Sequence, residues 1–120
     1  MSEERGASSC LFCRIVAGEL PSTRVYEDDE VLAIRDIAPQ APTHVLLLPR
    51  EHVESAADLT WEHGPLLGRI FAMAAEIARD EGIDADGYRV VTNVGAFGGQ
   101  SVDHLHFHLL GGRRFSWPPG

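Results

Sequence analysis

Seven residues, His104-Leu-His-Phe-His-Leu-Leu110, alternate histidine with apolar side chains at strict period two and close on a second leucine. In an extended strand, successive side chains point to opposite faces. His104, His106 and His108 then share one face, and Leu105, Phe107 and Leu109 share the other and can pack on a core. The chain has only six histidines, so three in one register constrain the fold: a strand with an apolar back and a chemically active front. Adjacent imidazoles can bind a transition metal, or one can act as a nucleophile while the others tune it. The residues alone leave both readings open.

The surrounding pattern predicts an α+β domain. Leu11 to Ala17 suits a short helix ended by Gly18, with Pro21 just beyond. Thr23–Glu27 and Glu30–Ile37 read as strands turned at Asp28 and Asp29, and Pro39 and Pro42 stop the second. His44–Leu48 is an apolar run suited to a buried strand. Leu66, Leu67, Ile70, Met73, Ala74 and Ile77 recur at helical spacing, which predicts one long helix stopped at Gly82. Gly87–Val94 and Val102–Leu110 read as further strands. Strands clustered around one long helix imply a mostly antiparallel sheet. Residues 1–9 read as a flexible tail and 10–120 as a single domain, ending in an irregular extension over 112–120 that carries two prolines.

Charge narrows the partner. Acids outnumber bases 18 to 10, for a formal net charge of −8, which argues against a nucleic-acid polymer. A single small anion remains compatible, because backbone amides and histidines can hold one. No apolar run approaches the roughly 18 residues of a membrane span. The start, MSEERGASS, is polar and acidic rather than a secretory signal. The expectation is a cytoplasmic protein with reduced cysteines. All ten basic residues are arginine, so Schiff-base chemistry by a lysine is excluded.

Two further segments carry chemistry. Asn93-Val-Gly-Ala-Phe-Gly-Gly-Gln-Ser101 precedes the histidine strand. Its glycines allow close backbone approach to an anion, although a flexible hairpin loop reads the same way. Cys10 and Cys13 form a Cys-x-x-Cys, open to a redox pair, half a metal site or two small core residues.

HLHFHLL resembles the His-x-His-x-His-x-x signature of the histidine-triad superfamily of nucleotide hydrolases and transferases. DIAPQAPTHVLLLPREH is similar to the family's segment from the second strand to the end of the third. NVGAFGGQSV resembles its phosphate loop, and GGRRFSWPPG resembles the tail of the Hint branch in particular. The similarity runs from Leu11 onward.

The resemblance implies a five-stranded, mainly antiparallel sheet with one long and one short helix. It also implies a homodimer that joins two sheets edge to edge with the long helices on the interface. The apolar stripe, with Gly68 and Ala72, is compatible with that. The implied activity is cleavage of the P–N bond of purine nucleoside 5′-phosphoramidates through a covalent nucleotidyl-histidine, releasing monophosphate and amine. On the matching positions, His106 is the nucleophile, His108 contacts the phosphate, His44 completes the histidine cluster and Ser101 stands near the leaving group. Gly99, Gln100 and Asn93 border the phosphate, and Asp36 holds the ribose hydroxyls. Leu11, Phe12, Ile15, Ile34 and Ile37 form the purine slot. In a subset of the family, a Cys pair joins two histidines around structural zinc, and the matching set is Cys10, Cys13, His52 and His104. The tail implies that Trp117 reaches toward the partner's site, the plainer role being an anchor on its own subunit. His63 matches nothing and is expected to be exposed near the helix start. Asp103 departs from the family's usual apolar residue and is expected to point away from the site. Two other activities fit: a dinucleoside polyphosphate hydrolase of the same superfamily, or a non-enzymatic, zinc-stabilised nucleotide-binding protein.

Overall fold

The computed structural model describes residues 9–120; the expected N-terminal tail lies, through residue 8, outside the described residues. In chain order the elements are helix α1 (Leu11–Val16), strands β1 (Arg24–Glu27), β2 (Val31–Arg35) and β3 (Thr43–Pro49), long helix α2 (Gly64–Asp80), strand β4 (Tyr88–Val91), helical turn α3 (Gly95–Gly98) and strand β5 (Phe107–Gly111). Two single 3-10 turns, Ala56–Asp58 and Trp61–His63, lead into α2. The strands form one sheet in the order β1-β2-β3-β5-β4, and every pairing is antiparallel. No described helix is long and apolar enough to cross a membrane.

The period-two alternation sorts the side chains into two layers. Val31, Ala33, Val45, Leu47, Phe107 and Leu109 face α2 and bury against Leu66, Ile70, Met73, Ala74, Ile77 and Ala78. Leu32, Ile34, Leu46 and Leu48 face the other way and bury against Cys10, Phe12 and Ile15 around α1. Asp36, His44, His106 and His108 continue the parity of this second set, so the polar residues of interest emerge on the α1 side. Leu105, Phe107 and Leu109 do back onto the α2 core, as the alternation predicts.

Local caps set the ends of the helices. Cys10 caps α1, its Sγ accepting from the Cys13 backbone N–H at 3.3 Å. Pro65 sits in the first turn of α2, where its missing N–H costs nothing. At the far end, Glu81 accepts two bonds from the Arg35 guanidinium, both 2.9 Å, and one from Thr43 Oγ1 at 3.3 Å. These bonds pin the end of α2 to β2 and β3, and the guanidinium holds the Glu81 carboxyl below its ordinary range. His63 is not simply exposed. It is half-buried, and its Nδ1 accepts from the Thr60 N–H at 2.9 Å, completing a capping box.

β1, β2, β4 and β5 are each shorter than predicted, and the difference bears on the histidines at β5. β5 begins at Phe107 rather than Val102, and 102–106 follow an irregular path. Side chains take over from the ladder there. Thr92 Oγ1 donates to the His106 carbonyl at 2.8 Å, the His104 ring bonds the Pro49 carbonyl at 2.8 Å, and the Leu105 N–H donates to Val53 O at 2.6 Å. Pro49, which ends β3, has no N–H with which to extend a pairing. The glycine segment is likewise not an open hairpin loop but the turn α3, closed by Gly99 at φ +86°.

Candidate active site and metal centre

His44 from β3, His108 from β5 and His106 from the residue just before β5 come together. Hydrogen-bond partners assign the protons. A carbonyl oxygen only accepts, and His106 Nδ1 lies 2.7 Å from the His104 carbonyl. Nδ1 therefore carries the proton, and Nε2 keeps its lone pair. The ring is buried and makes a T-shaped contact with Phe12, with centroids 4.9 Å apart at 81°.

His44 is fixed from the opposite direction. The Gln40 backbone N–H donates to His44 Nδ1 at 3.0 Å, so the His44 proton sits on Nε2. That atom is 2.9 Å from His108 Nδ1 and 3.4 Å from Asp36 Oδ2. His108 Nδ1 therefore accepts, which leaves His108 with its proton on Nε2. The cluster ends as a bare lone pair on His106 beside a ring N–H on His108, with the two ring centroids 5.1 Å apart. One group can attack an electrophile while the other donates to it.

Burial, aided by the neighbouring His106 and His44, pushes His108 down to about 4, against the opposing pull of Asp36. Burial also lowers His44, again with Asp36 opposing. Both shifts favour the neutral rings of His44 and His108, which keeps the His108 Nδ1 lone pair available to accept. A pH dependence follows. Between about 4 and the ordinary 6.5, the unfolded chain binds a proton at His108 that the folded chain does not. Stability therefore rises with pH across this window and is lost as pH falls through it. Melting temperature against pH, wild type beside His108→Gln, checks this. The variant flattens the rise, and an unchanged slope contradicts it.

The loop residues divide differently from expectation. The Gly99 and Gln100 amides are spent inside the turn, on Ala96 O at 3.1 Å and Gly95 O at 3.0 Å. The Gln100 side chain acts as a staple: its Oε1 accepts from Gly95 N, and its Nε2 donates to Glu54 O and Val102 O. Ser101 is exposed and lines a cleft with Cys10, His52 and Glu54. Asp103 is exposed on the same cleft. Asn93 stands half-buried at the entry to α3. Asp36 is half-buried, and its Oδ1 accepts from the Ala38 N–H at 2.8 Å. The five apolar residues differ in exposure. Phe12, Ile15 and Ile34 are core, whereas Leu11 is 46% exposed and Ile37 fully exposed.

Cys10, Cys13, His52 and His104 converge. Their donor atoms all lie within 4.8 Å of one another. His104 Nδ1 is 3.3 Å from Cys10 Sγ and 3.5 Å from Cys13 Sγ, and His52 Nδ1 is 3.2 Å from Cys13 Sγ. A tetrahedral zinc with bonds of about 2.0–2.3 Å has ligand–ligand edges of roughly 3.5 Å, so the four donors fit such an ion. The second shell fits too. His104 Nε2–H donates to Pro49 O, which leaves Nδ1 unprotonated and facing the thiols. Burial, with Cys10 beside it, pushes the Cys13 thiol up to about 12, and a divalent cation reverses that by stabilising the thiolate.

Phe12, expected only in the purine slot, also makes a T-shaped ring contact with His106. Two contributors carried no sequence signal: Thr92 ties the irregular segment, and Gln40 sets a tautomer through its backbone. A backbone N–H is present at nearly every residue, so only a known fold reveals its role.

The family model for the HIT domain matches residues 17–115. The purine nucleoside phosphoramidase of Escherichia coli K12 is 50% identical over 107 residues, which cover 89% of this chain and 90% of that protein. The 14 kDa zinc-binding protein of Zea mays is 50% identical over 115 residues, covering 94% and 89%. A solved HIT family hydrolase from Legionella pneumophila Philadelphia 1 superposes with a TM-score of 0.91 at 50% identity, covering 92% of this chain and 99% of that one.

Proposed function

Because this chain belongs to the HIT family, we propose that it hydrolyses the P–N bond of purine nucleoside 5′-phosphoramidates. The observation that carries the reading is the His106 Nδ1 bond to the His104 carbonyl, which leaves Nε2 as a nucleophile. In the first step, His106 Nε2 attacks the α-phosphorus and the P–N bond breaks. The leaving amine takes its electron pair and needs a proton, which Ser101 relays to it. His108 Nε2–H donates to a non-bridging phosphoryl oxygen, stabilising charge that grows in the transition state. In the second step, water attacks the same phosphorus and releases a proton to solvent, which replaces the one Ser101 passed to the amine; the bond to His106 breaks, and the monophosphate leaves with the imidazole restored. Splitting one displacement into two is the logic of covalent catalysis.

The remaining roles follow the same reading. Asp36, with Oδ2 away from its turn bond, accepts from the ribose hydroxyls. Leu11 and Ile37 offer exposed apolar surface to the purine, with Phe12, Ile15 and Ile34 as the floor beneath. Asn93 and the turn that holds Gly99 and Gln100 border the phosphate. Cys10, Cys13, His52 and His104 hold structural zinc, which supplies a crosslink between the start of α1 and the histidine segment. The active form is a homodimer. The outer edge of β4 and the half-exposed Phe71 on α2 are surfaces that a second copy would cover.

A substrate panel tests the activity. Adenosine 5′-phosphoramidate is expected to turn over at least about tenfold faster in kcat/KM than diadenosine polyphosphate, a gap of roughly 1.4 kcal/mol in transition-state binding. The reverse order assigns the chain to polyphosphate hydrolysis. Adenosine monophosphate binding with no turnover of either makes it a binding protein.

A further inference from the structure

The C-terminal tail is tied to the histidine cluster through a single residue of the loop between β2 and β3. Gln40 uses both of its backbone groups for this. Its N–H donates to His44 Nδ1 at 3.0 Å, and its carbonyl accepts from Arg113 Nε at 3.0 Å. Arg113 is itself held. Its guanidinium lies over the Phe115 ring at 4.2 Å, with Arg89 on the same ring at 5.1 Å, and its Nη1 donates to Arg114 O at 2.9 Å. Arg89 Nη2 donates to Ser116 O at 2.9 Å, which fixes the tail to β4. Trp117 is 84% exposed, so the anchor on its own subunit is made by Phe115 and Ser116 instead. Gly112 seats the tail on the same loop. Its φ is +90°, and an added Cβ would come within 2.8 Å of the Pro42 ring.

We propose that Arg113 is a positioning residue: by holding the Gln40 carbonyl it keeps the Gln40 N–H on His44 Nδ1, and so sets the proton positions of His44 and His108. The consequence is chemical. If His44 loses the Gln40 donor, the Asp36 carboxylate 3.4 Å from Nε2 alone still favours the proton there, and Nδ1 becomes a competing site. In the other tautomer, His44 Nε2 is an acceptor. His108 must then put its own proton on Nδ1 to keep the 2.9 Å bond, and its Nε2 presents a lone pair instead of an N–H. A lone pair there repels a phosphoryl oxygen. Arg113 thus acts at a distance on the group that meets the substrate, and the tail becomes part of the catalytic apparatus without touching the reacting atoms.

The catalytic consequence rests on the phosphoramidase reading, but the tautomer does not, so the two can fail separately. The probe is the full chain labelled with nitrogen-15, without substrate. In the wild type, His44 shows the signature of a proton on Nε2 and a bare Nδ1. Arg113→Ala is expected to shift it toward a mixture of tautomers, and Arg113→Lys, which keeps one donor, to restore it in large part. If the family activity is present, Arg113→Ala lowers kcat about three- to tenfold, the range one lost hydrogen bond carries, with KM nearly unchanged. A wild-type His44 signature in Arg113→Ala overturns the proposal whatever the rate. A shifted signature with no turnover by any form upholds the positioning role and removes the phosphoramidase reading. A lowered kcat with an unshifted signature also overturns the proposal.

Discussion

Replacing His106 with alanine lowers kcat for phosphoramidate cleavage by about ten-thousandfold or more, the scale of removing a covalent nucleophile. Affinity for adenosine monophosphate stays within about threefold, because hydrogen bonds to ribose and phosphate come from other residues. The alanine also removes the donor to the His104 carbonyl and leaves space beside Phe12. Part of any loss could then be blamed on a disturbed fold. His106→Asn separates the two effects. Its amide N–H can still donate to that carbonyl, but it has no basic ring nitrogen to attack phosphorus, since the amide nitrogen's electrons are delocalised and the amide oxygen is only weakly nucleophilic. Both variants are therefore expected to be inactive, with the asparagine nearer the wild-type melting temperature. Retained turnover in the asparagine variant removes His106 as nucleophile.

The second large effect concerns the metal centre. Cys13→Ala is expected to abolish stoichiometric zinc and to lower stability by at least about 3 kcal/mol, or roughly 10 °C in melting temperature. The reason is topological. Cys10 and Cys13 belong to the start of α1, His52 follows β3, and His104 lies in the irregular segment before β5. One ion bound there would therefore crosslink three segments that are far apart in sequence. The His104 carbonyl is also the acceptor that fixes the His106 proton, so loss of the metal loosens the nucleophile's support. Nucleotide turnover is expected to fall less than stability does, because no reacting atom touches the site. Elemental analysis and a thermal melt check this. A purified wild type without metal, or a variant with an unchanged melt, contradicts it.

Much of the fold was legible because β2 and β3 are apolar runs, buried on both faces, and β5 alternates. In β5 a slip of one residue would turn Leu109 to the histidine face and His108 into the α2 core. The stripe from Leu66 to Ile77 was equally readable, since one helix face meets one sheet face. What periodicity could not give was where the strands stop. At residues 102–106 the alternation continues, but the ladder gives way to bonds from Thr92 and from the His104 ring, and alternation alone does not distinguish the two. The Cys pair was readable as half a metal site, but the full set of four candidate ligands was visible only through the family resemblance, because His52 and His104 lie far along the chain from it. The Cys10 cap on α1 and the His63 cap before α2 were missed for a simpler reason: neither residue type is a usual capping residue. In the glycine segment, composition suggested amides free for an anion. Gln100, whose side chain bonds at both ends, shows that a polar residue beside a site can be wholly occupied in building it.

The central claim is that His106 Nε2 forms a bond to phosphorus. Rapid acid-free quenching of the wild type during turnover of adenosine 5′-phosphoramidate, followed by mass spectrometry, tests it most directly. The account predicts one adenylyl group per active chain, on the peptide that carries His106, and none in His106→Asn. An adduct on another residue, or steady turnover with no adduct at any quench time, would contradict it.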